Sequence, residues 1–216
     1  MQAIATNCLD RTDASATELA LLDLIDNTKY ENFSFAECQK KYLTVNKTRF
    51  MFTSKRKKMS TVLENVEETY SNTGYRLHVK GAAEIILAKC SHYLDESGSR
   101  QSLDDNMKQL ILSQINSFAE KSLRNILFAY KDLTNDDNPP HFKNDKEDNN
   151  VEAKIERDGL TMIAFVGIKD PIRPEVPLAV KKCKMASIVV RMVTGDNLKT
   201  AMAIAVECGI ISEEEV

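Results

Sequence analysis

The sequence predicts an α+β domain, an antiparallel sheet flanked by helices, followed by a smaller Rossmann-like βαβα unit. Three observations predict it. Short strand-like runs and amphipathic helical runs alternate between residues 15 and 130. The composition then breaks over Asp132–Lys154, which is rich in Asp, Asn and Lys and carries Pro139-Pro140 in its middle. After the break the style changes to continuous apolar runs, Leu160–Ile168 and Ile188–Val193, each followed by a helical pattern.

The elements follow in order. Ser15 with Glu18 three residues later is a capping box, opening a helix through Ala20, Leu21, Leu24 and Ile25. Lys47–Phe52 and Met59–Val66 read as two strands around the basic run Lys55-Arg56-Lys57-Lys58, and Tyr75–Lys80 alternates like a third. Gly81 breaks that strand and Ala82–Cys90 reads as a short helix. A longer helix follows, capped by Ser102 and Asp105, with Met107, Leu110, Ile111, Ile115 and Phe118 on one face. Asn125–Tyr130 returns as a strand. Asp132–Lys154 reads as an exposed, mobile loop. Pro174–Met185 reads as a helix with a proline in its first turn, and Asn197–Cys208 as a helix closed by Gly209. Strand–helix–strand–helix order over the last part implies parallel strands and a right-handed crossover. The expected division is residues 1–155 and 156–216, with 132–154 as the loop.

Bulk composition excludes several classes. The 216 residues are 43% hydrophobic and 28% charged, with net charge −3, which gives no electrostatic reason to expect a nucleic-acid partner. The five cysteines are scattered and form no C-x-x-C pair, which argues against a disulfide framework or a zinc site and for a reducing compartment. The longest apolar run is far short of the roughly 20 residues of a membrane-spanning helix, and no secretory signal is visible.

Two strings carry chemistry. Thr194-Gly195-Asp196-Asn197 stands where the second apolar run meets a helix, the edge at which parallel sheets bind anionic ligands. The hydroxyl and carboxylate there suit phosphate oxygens and a divalent cation; the plainer reading is a polar turn with Asp196 as N-cap. Asp170-Pro171-Ile172-Arg173 ends the first apolar run and would bring a second carboxylate to the same edge, or form a proline-stiffened turn.

The two strings together resemble the P-type ATPases, whose phosphorylation domain is framed by D-P-x-R and T-G-D-N. Asp170 to Val176 and Arg191-Met192-Val193 look most like the plasma-membrane type of calcium pump. Four further matches occur in order: Thr17-Glu18-Leu19-Ala20-Leu21-Leu22, Phe52 with Lys57, Met59 and Ser60, Lys80-Gly81-Ala82-Ala83-Glu84, and Leu123-Arg124. The resemblance implies an N-domain fold for the first part and a partial haloacid-dehalogenase-type unit for the second.

It also implies a site for ATP and Mg²⁺. Phe52 would stack on adenine and Glu18 would accept from its amino group. Lys57 and Lys80 would line the adenine and ribose end, Gly81 would let the backbone approach the nucleotide, and Arg124 would pair with phosphate. Asp170, Arg173, Thr194, Gly195 and Asp196 would border the phosphorylation site, with Asp170 and Asp196 near Mg²⁺. The D-K-T-G-T segment bearing the phosphorylated Asp, the later G-D-G-x-N-D segment and the transmembrane helices do not occur in this sequence. The chain would therefore deliver the γ-phosphate of Mg-ATP to an aspartate outside it and be inactive alone. Implied partners are the rest of the pump (actuator domain and transmembrane helices), with calmodulin or an autoinhibitory segment as regulator, at the cytosolic face of a membrane. Ser54 departs from the sarcoplasmic-reticulum type, which carries Arg there, and Ser187 replaces the usual Gly. Two rivals are a soluble haloacid-dehalogenase-type phosphatase, which would need a D-x-D-x-T/V motif that does not occur, and a free-standing nucleotide-binding module, for which neither common glycine-rich loop occurs.

Overall fold

The computed structural model describes residues 1–9, 11–28, 34–42, 49–64, 66, 73–137, 153–195 and 198–215. Most of the expected mobile loop, and Asp196 and Asn197, lie outside the described residues. The chain forms two compact units, Met1–Lys108 with Ile126–Phe165, and Gln109–Asn125 with Val166–Val216.

The first unit is built on a sheet. Its strands are β1 (Arg49–Phe50), β2 (Lys58–Leu63), β3 (Arg76–Ala82), β4 (Cys90–Leu94), β5 (Arg100–Ser102), β6 (Leu123–Asp132) and β7 (Leu160–Lys169), in the order β1-β2-β3-β6-β7-β4-β5. The β1–β2, β2–β3, β3–β6 and β4–β5 ladders are antiparallel, whereas β4 runs parallel to β7. The sheet is thus mixed, with the expected antiparallel character over its first four strands. Leu63, Leu77, Leu127, Ala129 and Leu160 are fully buried and form its interior.

Helices α1 (Gln2–Asn7), α2 (Ala16–Asn27), α3 (Phe35–Tyr42) and α4 (Ala83–Leu87) complete this unit. Ser15 and Glu18 close the predicted capping box on α2, each side chain bonding the other's backbone N–H. The α1 and α3 helices and the β4–β5 hairpin were not predicted. They are short, and α1 has no side-chain cap. The cap of α5 (Asp105–Glu120) is Asp104, whose carboxylate accepts from the Met107 N–H at 2.8 Å, rather than Ser102 or Asp105.

In the second unit, α6 (Val176–Met185) has Pro177 in its first turn, and α7 (Leu198–Glu207) is closed by Gly209 at φ +74°. The predicted second strand is not formed. Ile188–Thr194 has no regular structure, and Val189 and Val193 are 78% and 97% exposed. A buried strand needs its faces covered and its backbone groups paired, and the described residues pair no strand with this run. The βαβα unit is consequently incomplete here. At the end of α6, Ser187 takes φ +58°, the left-handed position a C-terminal glycine usually occupies.

Candidate functional site

Five of the predicted site residues, Glu18, Phe52, Lys57, Lys80 and Gly81, belong to the first unit, and the structure brings four of them together in two pairs, Lys80 with Glu18 and Lys57 with Gly81. Lys80 lies in mid-β3, opposite Met59 of β2 and Phe128 of β6. It is no surface lysine: it is 7% exposed, and its Nζ donates to Glu18 Oε1 at 2.7 Å and to Cys8 Sγ at 3.1 Å. Glu18 is equally buried. Its Oε1 also accepts from the Leu9 N–H, and its Oε2 accepts from the Ser15 N–H and hydroxyl. Burial pushes the Glu18 carboxyl upward, but the Lys80 ammonium and the two backbone N–H groups outweigh it and hold the pKa below the ordinary value. Burial raises the Cys8 thiol, against the opposing effect of Lys80.

The same face carries His78, two residues before Lys80. The Thr6 hydroxyl donates to the Gln2 carbonyl and lies 3.0 Å from His78 Nδ1, so the ring is placed to donate to that oxygen in its Nδ1–H form. Burial, then the nearby Arg76 charge, lower the His78 pKa to about 3. The imidazole is therefore neutral at physiological pH.

Phe52 and Lys57 sit on the loop between β1 and β2. Phe52 is 58% exposed. Lys57 takes φ +52°, and its carbonyl accepts from the Ala82 N–H at 3.0 Å. Gly81 explains that closeness: a Cβ there would lie 2.4 Å from the Lys57 carbonyl oxygen. The close approach that Gly81 permits in this structure is to the neighbouring strand.

The basic run is only half solvated. Lys55 is exposed, but Arg56 and Lys58 are buried, and sequence reasoning missed their partner. Arg56 Nη2 donates to Glu156 Oε1 at 2.5 Å and Nη1 to the Met51 carbonyl at 2.6 Å. The Ser60 hydroxyl bonds the same Glu156 oxygen, Lys58 Nζ is 3.9 Å from Glu156 Oε2, and that oxygen accepts from the Ala153 N–H. Glu156 is completely buried. No local pattern in the sequence marks Glu156, one of several charged residues before an apolar run and one hundred residues from Arg56.

The remaining candidates belong to the second unit. Arg124 is half-buried near the start of β6, and Asp170, Arg173, Thr194 and Gly195 are exposed. An open groove of about 490 Å³ is lined by Val193, Thr194, Leu198, Ala201, Met202 and neighbouring apolar residues. Among the described residues that line it, none is charged. Among the described residues no helix is long and apolar enough to cross a membrane.

The family described as P-type ATPase, cytoplasmic domain N, matches residues 10–175. Over 207 residues, 94% of the chain, the sequence is 42% identical to plasma membrane calcium-transporting ATPase 4 of Bos taurus and equally to that of Homo sapiens. It is 40% identical over 165 residues, 76% of the chain, to calcium-transporting ATPase 3, plasma membrane-type, of Oryza sativa subsp. japonica. The chain spans 16%, 15% and 14% of the length of these three relatives. With most of its length matched by the domain family and by relatives of one kind, the chain belongs to the P-type ATPases, among the plasma-membrane-type calcium pumps, and its first part has their cytoplasmic N-domain fold.

Proposed function

We propose that the chain binds Mg-ATP and presents its γ-phosphate to an aspartate outside these residues, as the cytosolic ATP-binding part of a calcium-transporting pump. Residues 1–155 would serve nucleotide binding and 156–216 the phosphorylation part. The observation that carries the reading is the exposed Phe52 side chain on a loop whose Arg56 is pinned, between strands of the ladder that also carries the buried Lys80–Glu18 pair. An exposed, held aromatic is suited to stacking on a planar base, an interaction of about 1–3 kcal/mol.

The chain's own residues divide the work. Phe52 orients the base, and Lys57 and Lys80 supply positive charge along the adenine and ribose end. Glu18 already accepts four hydrogen bonds, so its service to an adenine amino group would be shared with its cap. Arg124 would hold phosphate through its planar fork. Asp170, Thr194 and Asp196 offer the hard oxygen donors that Mg²⁺ prefers, with Gly195 and Arg173 beside them. Magnesium, when bound, would neutralise charge on the transferring phosphoryl group. The acceptor aspartate, the remaining pump and any calmodulin or autoinhibitory contact belong to this proposal, as does placement at the cytosolic face of a membrane. The soluble phosphatase is not favoured, because its nucleophile motif does not occur.

The test is an NMR titration of the chain with ATP and ADP. With only part of the phosphate site present, dissociation constants in the high micromolar to millimolar range are expected, about −4 to −6 kcal/mol, and similar for the two nucleotides. Phe52→Ala and Lys80→Ala should each weaken binding. Unchanged affinity in both variants would remove the site assignment.

A further inference from the structure

We infer that Arg56 and Glu156 are positioning residues that hold the β1–β2 loop so that Phe52 presents its ring to the nucleotide, an inference that rests on the nucleotide-binding reading above. The strand that leads into the loop is short. Among the described residues, β1 is two residues long and pairs with β2 at Arg49↔Thr61 and Phe50↔Ser60. Immediately after it, the Met51 carbonyl is bonded by Arg56 from the far side of the loop. The same guanidinium reaches Glu156, so one planar group ties the residue before Phe52 to a fixed, buried carboxylate.

The anchor is itself well held. Glu156 Oε1 receives Ser60 of β2 as well as Arg56, and Oε2 receives the Ala153 N–H. The loop's two ends, Met51 through Arg56 and Ser60 directly, therefore converge on a single side chain. Thr53 closes the turn between them, its carbonyl and hydroxyl accepting from the Lys57 and Arg56 N–H groups. Fully satisfied buried carboxylates of this kind rigidify what they bind, and a rigid loop loses less entropy when a ligand stacks on it. Glu156 and Arg56 do not need to touch nucleotide to affect its binding. They act through the backbone at Phe52.

The experiment uses the 216-residue chain, ATP as probe and NMR-derived dissociation constants, at a temperature where circular dichroism shows each variant folded. Arg56→Met leaves Lys58 beside the Glu156 carboxylate, so the buried acid keeps a cation. It is expected to weaken ATP binding about 3- to 10-fold, with Arg56→Lys intermediate, because an ammonium cannot bridge two acceptors in a planar fork. The decisive arm is the cycle with Phe52→Ala: the Arg56→Met loss should disappear in that background. Should Arg56→Met not fold, Glu156→Gln, which keeps the shape and the Ser60 and Ala153 partners, is read in the same cycle with a smaller expected loss. If Phe52→Ala weakens ATP binding but the Arg56 or Glu156 variant binds as the parent does, or loses affinity additively with Phe52→Ala, the inference is overturned. If the parent chain binds no ATP, the nucleotide-binding reading itself falls.

Discussion

Two ion pairs are buried on opposite faces of the β2–β3 ladder, and they are built differently. On the face covered by α1 and α2, Glu18 belongs to a helix N-terminus. Two backbone N–H groups and the Ser15 hydroxyl satisfy its carboxylate before Lys80 arrives, and the helix end favours negative charge. On the other face Glu156 is a hub. Arg56 and Ser60 converge on one of its oxygens, with Lys58 near the other. One carboxylate can spare its lysine, whereas the cations around the other depend on it. A lysine that its partner can spare is free to serve a ligand, which is the role proposed for Lys80.

The largest expected effect tests that asymmetry directly. Glu156→Ala should cost about 3–5 kcal/mol, since it takes the buried carboxylate away from the Arg56 guanidinium. Lys80→Met should cost only about 1–2 kcal/mol, because Glu18 keeps its other donors. Urea denaturation of both variants measures the difference, and equal losses would erase the contrast between the two faces. Acid should report on the α1/α2 face. Folded His78 stays neutral down to about pH 3, whereas an unfolded histidine protonates near pH 6.5. The unfolded chain therefore binds more protons across that window, and stability falls as pH drops through it, by about 2 kcal/mol between pH 7 and pH 5. Glu18, with its lowered pKa, adds a loss at lower pH as it is protonated. A His78→Gln variant should show a flatter stability profile over pH 7 to 5, and an unchanged slope would detach the effect from this side chain. The smallest effect is a control outside both faces: Ser187→Gly should stabilise the chain by about 0.5–1 kcal/mol by relieving the left-handed backbone, read as a rise in the urea midpoint.

Local chemistry made part of this legible in advance. The α2 cap needs only Ser15 and Glu18 at a spacing of three, and it is found where the spacing puts it. Strands β2, β3, β6 and β7 announced themselves by apolar alternation or apolar runs. Ile188–Val193 has the same apolar character as Leu160–Ile168, yet only the beginning of the latter is buried. An apolar run states a need for partners and cannot say whether they are supplied. Four adjacent bases such as Lys55-Arg56-Lys57-Lys58 usually form a solvated turn. Alternation across a strand edge turned two of them inward, toward an acid that no local pattern connects to them.

The sequence by itself determined the family, the α+β class, the capped α2 helix and the residues that gather near β1–β3, because spacing, caps and ordered motifs are local properties of the chain. Only the tertiary structure decided that Lys80 is buried against Glu18, that Gly81 makes room for the Lys57 backbone, and that Glu156 organises the loop bearing Phe52. Those facts depend on which distant segments share a dry, low-dielectric space, where an unpaired charge is costly and a buried donor without an acceptor is penalised.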